Sequence, residues 1–136
     1  MPLTLEVAER MVRVARSKAV EMGCNVSIAV VDSGGYLLTL SRMEAAVPIT
    51  AKAAEEMAFT AAMFKTAGKN ILPYANRPWF QSLVTLTEGK VMPADGELPI
   101  EIGGEVVGGI AAAGGTADQD LQCCEAAVEA LKNNFR

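Results

Sequence analysis

The sequence predicts an α+β fold, an antiparallel sheet with helices packed on it, and three observations lead there. Three stretches carry apolar residues at helical spacing. Two pairs of short apolar runs are each joined by adjacent glycines, as β-hairpins are. The order helix, two strands, helix, irregular loop, two or three strands, helix then suits hairpins lying under helices. At 136 residues the chain is expected to form one domain, residues 1–136. Hydrophobic residues make up 51% of it and aromatics only 5%, so Val, Ile, Leu, Met and Ala must build the core. Small side chains imply close helix–sheet packing.

From Leu5 to Met22 the apolar residues Leu5, Ala8, Val12, Ala15, Ala19 and Met22 recur at steps of three and four, with charged residues between them. Thr4 is the expected N-cap and Gly23 the residue that ends this helix. Val26–Val31 and Tyr36–Leu40 read as strands joined through Asp32-Ser33-Gly34-Gly35. A second helix follows Pro48 and runs to about Lys65, with Ala54, Met57, Ala58, Ala61 and Phe64 facing inward and Gly68 closing it. Between Lys69 and Pro99 four prolines limit regular structure to a short helical turn and one strand at Leu83–Thr87. A second hairpin, Pro99–Ile102 and Glu105–Ala112, turns at Gly103-Gly104. The last helix runs from about Thr116 to Asn134, with Thr116 and Gln119 at capping-box spacing and Leu121, Cys124, Val128 and Leu131 buried.

Composition excludes several functions. A net charge of -4 and a pI near 4.9 oppose wrapping a phosphate backbone, so no nucleic-acid partner is expected. No apolar run is long enough for a bilayer, and the start MPLTLEVAER lacks the basic and apolar regions of a signal peptide. Residence in the cytoplasm, away from membranes, is the expectation. Cys24, Cys123 and Cys124 are odd in number and hold no CxxC spacing, so neither a disulfide framework nor a metal site is expected. The absence of histidine removes Ser-His-Asp and Cys-His machinery, the HExxH zinc helix and the commonest protein ligand of haem. No cofactor is assigned.

Chemistry is then sought in a few places. Gly114-Gly115-Thr116-Ala117-Asp118 leads a strand into a helix N-terminus, where free N–H groups and the dipole hold an anion or a capping box closes a tight turn. Arg42-Met43-Glu44 ends the first hairpin and brings a guanidinium, able to grip a carboxylate through two parallel hydrogen bonds, beside a possible proton acceptor. Its plain alternative is an exposed ion pair. Arg77-Pro78-Trp79-Phe80 either covers an apolar ligand or packs its own aromatics on the core. Glu55-Glu56 offers a base on the second helix, and Asp118 and Asp120 suit the dipole of the last one. Pro2 becomes a terminal secondary amine only if Met1 is removed.

These motifs in their order resemble the GlcG/HbpS family, which includes the C-terminal domain of PduO-type proteins. The resemblance rests on the first helix ending in Gly23, Val30-Val31-Asp32-Ser33-Gly34-Gly35, Ser41-Arg42-Met43-Glu44-Ala45-Ala46, the Ala54–Phe64 helix, Leu98-Pro99-Ile100, Val106-Val107-Gly108 and Gly114 to Asp120. It implies a profilin-like α-β-α domain with helices on both sheet faces, assembly into a homo-oligomer, and links to haem binding or the catabolism of small organic acids. The departures also carry information. Met57-Ala58 stands where the family typically has Lys-Ala, Ala111-Ala112-Ala113-Gly114 where it has Gly-Val-Ser-Gly, and Gly96-Glu97-Leu98-Pro99 where it has Gly-Gly-Leu-Pro. A pocket lined by these positions loses a cation and a hydroxyl and gains a carboxylate, which makes haem the poorer fit, although Met, Cys, Tyr or Lys can supply an axial ligand.

The leading expectation is a protein that binds a small organic anion, a carboxylate, in a pocket shaped by Arg42, Glu44 and Gly114, Gly115, Thr116 and Asp118, with Arg77 and Trp79 as further contacts. An isomerase, tautomerase or deaminase of a small unsaturated acid, using Glu44 or Glu56 for proton transfer, is the enzymatic alternative. A haem-sensing or haem-storing oligomer is the third.

Overall fold

Helix α1 spans Leu5–Met22 because both of its ends are chemically marked. The Thr4 hydroxyl accepts the Val7 N–H at 3.1 Å, and Gly23 takes φ 74° so that its N–H reaches the Ala19 and Val20 carbonyls. This computed structural model describes residues 2–136, and Pro2 is exposed and outside regular structure ahead of α1.

Strands β1 (Ser27–Asp32) and β2 (Leu37–Arg42) pair antiparallel across a turn in which Asp32 Oδ1 accepts the N–H groups of Gly34 and Tyr36 at 2.9 and 3.1 Å. Helix α2 covers Ile49–Phe64. Two 3₁₀ turns, Gly68–Asn70 and Leu72–Tyr74, then lead to α3 (Pro78–Leu86), and β3 (Glu97–Ile102), β4 (Glu105–Ala113) and α4 (Ala117–Lys132) complete the chain. The sheet order is β2-β1-β4-β3, every neighbour antiparallel.

Alternation along the strands sorts the core into two layers. Ile28, Val30, Ile100, Ile110 and Ala112 face α1 and α4, whose Ala8, Met11, Val12, Ala15, Cys123, Cys124 and Ala127 are buried against them. Ala29, Val31, Ala111 and Ala113 face α2 through Ala54, Met57, Ala58 and Ala62. Alanine on both sides brings this helix very close to the sheet. At Gly109 a side chain would collide with the Ala58 carbonyl, so the glycine is required by contact. The expected α+β architecture, with helices on both faces, is the one observed.

Three local expectations are corrected. Helix α2 stops at Lys65, itself left-handed at φ 55°, whereas Gly68 begins the first 3₁₀ turn. Leu83–Thr87 belongs to the end of α3 and its cap, not to a strand. Pro78 at the first helical position starts that helix, and Phe80 and Val84, four residues apart, pack on Ile71 and Val91. On α4 the buried stripe is Cys123, Cys124, Ala127 and Leu131, while Leu121 and Val128 are only half-buried.

Strand β3 is an outer edge with Pro99 near its middle. The Gly96 carbonyl accepts the Ala112 N–H at 2.9 Å, and alternation turns the backbone of residues 97 and 99 away from β4.

Candidate functional site

Ser27 pairs with Arg42 on one side and Ala113 on the other, so the ends of β2 and β4 flank the start of β1. Arg42, Glu44 and the Gly114–Asp118 segment therefore stand at one end of the sheet, but the hollow of about 400 Å³ there is lined by residues such as Ala45, Val47, Gly114, Gly115 and Thr116, and Arg42, Glu44 and Asp118 do not line it. Several of the donors at this end are engaged within the chain. Arg42 Nη1 donates to the carbonyls of Met43, Glu44 and Ala46 at 3.3, 3.1 and 3.1 Å, so the guanidinium ties down the loop before α2. Glu44 is exposed.

At the start of α4 the capping box is complete: Thr116 Oγ1 accepts the Gln119 N–H at 3.1 Å and Gln119 Oε1 accepts the Thr116 N–H at 3.0 Å. The Gly115 N–H donates to Asp120 Oδ1 at 2.9 Å. Burial pushes the Asp120 carboxyl up to about 6, while the Gly115 and Gly114 N–H groups pull the other way. An internal carboxylate thus sits where the glycine motif was expected to hold a ligand. Asp118 is exposed and accepts the Gln122 amide at 2.8 Å.

Arg77 precedes α3 and Trp79 lies in its first turn, 53% exposed, between Tyr74 and Phe80 with ring centroids 6.0 and 5.7 Å away. Neither lines the rim hollow or the cleft described next. The segment from Tyr74 to Phe80 packs its own aromatics together.

Glu56 has the surroundings of a ligand site. It lies on α2, is 8% exposed, and accepts an ion pair from Lys52 Nζ at 3.1 Å, one helical turn earlier. That hydrogen bond holds the Lys52 ammonium above its ordinary range. Two adjoining hollows of about 320 and 450 Å³ share Lys52, Glu56 and Lys90. One extends to the hairpin turn at Gly34–Leu37 and to Phe59, the other to Ile49, Glu88 and Met92. Gly35, at φ 81°, lets Phe59 and Met63 close over the turn.

Lys90 reaches this cleft because α3 terminates sharply. Glu88 and Gly89 adopt φ 55° and 82°, and the Gly89 N–H returns to the Val84 carbonyl at 2.8 Å. The Met92 N–H then donates to Thr60 Oγ1 at 2.7 Å, and that hydroxyl donates to the Glu56 carbonyl at 2.8 Å. The segment beside Lys90 is thereby fastened to α2. Among the described residues Lys90 has no carboxylate at ion-pairing distance.

Two ammonium groups, the Tyr36 phenol and the Phe59 ring can hold a carboxylate on a short apolar body, with Glu56 as a proton acceptor. No group of three or more Cys, Asp or Glu among the described residues is placed to hold a metal ion. Of the expected residues Glu56 lies here, and its neighbour Glu55 lines the first of the two hollows. Lys52 was legible as a lysine four residues before a glutamate on a helix; Lys90 carried no local signal.

Comparison with known proteins agrees with this architecture. Protein GlcG of Escherichia coli K12 is 33% identical over 110 residues, 79% of this chain and 78% of that protein. HbpS of Streptomyces reticuli, solved as a double mutant, superposes with a TM-score of 0.84 at 30% identity, covering 96% of this chain and 88% of that one. A complex of PduOC with haem superposes at 0.86 with 25% identity, covering 96% and 95%. The family model described as "Haem degrading protein HbpS-like" matches residues 3–129, and the chain belongs to that HbpS-like family.

Proposed function

We propose that this protein binds a small organic carboxylate in the α2 cleft, between Lys52 and Lys90. The single observation that carries the reading is Lys90, an ammonium without an ion-pair partner among the described residues, facing the same hollows as exposed Lys52 and the buried Glu56 it pairs with. Hollows of about 320 and 450 Å³ fall in the range of small-ligand pockets. Lys90 and Lys52 hold the carboxylate, Phe59 covers the carbon skeleton, and Glu56 is the acceptor if a proton is moved. Arg42 serves the loop between β2 and α2. The protein acts as one folded domain and, as the family resemblance implies, as a homo-oligomer; residence in the cytoplasm is proposed from the composition of the chain. Among the described residues no helix is long and apolar enough to cross a membrane.

Titration calorimetry with a panel of short mono- and dicarboxylates tests the reading. Lys90→Ala is expected to weaken binding by about 1.5–3 kcal/mol, the scale of a hydrogen bond to a charged group. Unchanged affinity in Lys90→Ala, with binding lost in a variant of the rim hollow, would place the ligand at the rim instead. Glu56→Gln is expected to keep affinity and remove any turnover.

One observation favours a second ligand: a structural neighbour at 25% identity is a haem complex. In this cleft Lys52 and Lys90 suit two propionates, and Tyr36 and Met92, which line the two hollows, are of residue types that would ligate an iron in place of histidine. Haemin titration separates the two ligands. A Soret shift that Lys90→Ala weakens favours haem, whereas carboxylate binding with no Soret shift favours the smaller acid.

A further inference from the structure

Residues 68–94, which carry both 3₁₀ turns, α3, Lys90 and Met92, leave the sheet layers and return at one point. At that neck lies Glu97, 0% exposed. Its Oε2 accepts the Ala94 N–H at 2.9 Å. A side chain at buried Gly68 would collide with both the Ala94 carbonyl and the Glu97 carboxyl, so the first and last residues of the excursion meet across this one group. Glu97 Oε1 is buried with no hydrogen-bond partner. α3 packs mainly through Phe80, in a small cluster with Ile71 and Val91. Besides the neck, the Met92–Thr60 hydrogen bond fastens the excursion to α2, and Phe59 and Phe64 of α2 pack on that cluster, Phe64 stacking on Phe80 at 5.8 Å.

We propose that Glu97 is a protonation-operated clasp: neutral, it keeps the 68–94 excursion shut with Lys90 over the α2 cleft, and ionised, it loosens the neck. A neutral carboxyl tolerates burial with one hydrogen bond. A carboxylate there has a bare oxygen out of water, and parting Gly68 from Ala94 is the direct way to hydrate it. Burial pushes Glu97 up to about 7, and the charge of Asp95 adds to this, while the N–H groups of Ala94 and Gly96 oppose it. The titratable groups facing it are few. Asp95 lies on its own segment, and α4 contributes Cys124, whose thiol donates to the Gly96 carbonyl at 3.3 Å, and Asp120, packed beside Gly96. Among the described residues no lysine or arginine forms an ion pair with Glu97, and Lys69, next to Gly68, is exposed. The clasp needs no ligand; its effect on carboxylate affinity rests on the place of Lys90 in the proposed function.

The composition makes the test clean. The chain has one tryptophan, Trp79 on α3 within the excursion, and no histidine. Among the described residues, Glu97 and Asp120 are the carboxyls that burial raises toward neutrality, to about 7 and about 6. The ligand-free protein, followed by Trp79 fluorescence from about pH 5.5 to 8.5, is expected to show a transition near 7. Glu97→Gln abolishes it and Asp120→Asn leaves it in place. A transition that survives in Glu97→Gln, or none in the wild type, overturns the clasp. Should Glu97→Gln fail to fold, wild-type hydrogen exchange decides. Corrected for intrinsic rates, amides of residues 68–94 lose protection above the transition while those of β1 keep it; uniform behaviour overturns the proposal. Failure to bind any carboxylate leaves these outcomes untouched and counts against the Lys90 site alone.

Discussion

Glycines 109 and 35 show how single residues admit the elements around the cleft. At Gly109 a methyl group would press into the Ala58 carbonyl, and backbone cannot step aside as a flexible side chain can. Gly109→Ala is therefore expected to destabilise the fold by about 1–3 kcal/mol, the scale of overpacking, read as a lower thermal midpoint. Gly35→Ala meets the Phe59 ring and a left-handed φ of 81° together, so it should disturb the hairpin turn and the near wall of the cleft. Weakened carboxylate affinity with a smaller loss of stability than in Gly109→Ala is the outcome expected. Such close approaches cannot be read from the chain, because a glycine that faces a carbonyl and one that faces water are written alike.

Elements with chemically marked ends were legible, and those defined by their neighbours were not. Thr4 and Gly23 bound α1 as expected, and the Thr116–Gln119 box starts α4. Thr116→Val removes the acceptor of the Gln119 N–H and should cost about 1 kcal/mol, measured by chemical denaturation. The end of helix α3 reads as a strand in sequence because Leu83–Thr87 is short and apolar, a pattern shared by strands and buried helical segments. Its packing on Ile71 and Val91 settles the matter, and that contact is not written in its own residues. The same holds for the site. Arg42 and Gly114–Asp118 were recognisable as groups able to bind an anion, yet the partners that engage them, three loop carbonyls and Asp120, come from the fold. Glu56 was singled out as a possible base; that Lys90, thirty-four positions on, would join it depends on how the excursion returns.

For the whole molecule, the two buried carboxyls set the direction of its pH dependence. Folded, Glu97 keeps its proton to about 7 and Asp120 to about 6, whereas their ordinary values are 4.5 and 3.8. Between those limits the folded state binds more protons than the unfolded one, so stability falls as pH rises. The contribution is full below the ordinary values and has gone once pH passes the folded ones. Thermal unfolding across this window should show the midpoint falling toward neutrality, with a flatter profile in Glu97→Gln. A midpoint that rises over the same interval would contradict the burial of both groups. In the family-implied homo-oligomer, light scattering should report a particle heavier than 14.3 kDa at micromolar concentration.

The proline on the outer strand also bears on what copies of this chain must avoid. An open sheet edge is a template on which another backbone can crystallise, strand upon strand, into a fibre. Residues 97 and 99 of β3 turn their backbones to that open side, and Pro99 has no N–H to offer there, while the Glu97 side chain is committed to the interior. A recruited strand would find a gap in the ladder at its centre. Pro99→Thr restores the missing donor, and slow conversion to dye-binding fibrils under agitation, absent in the parent, is the behaviour that substitution should release.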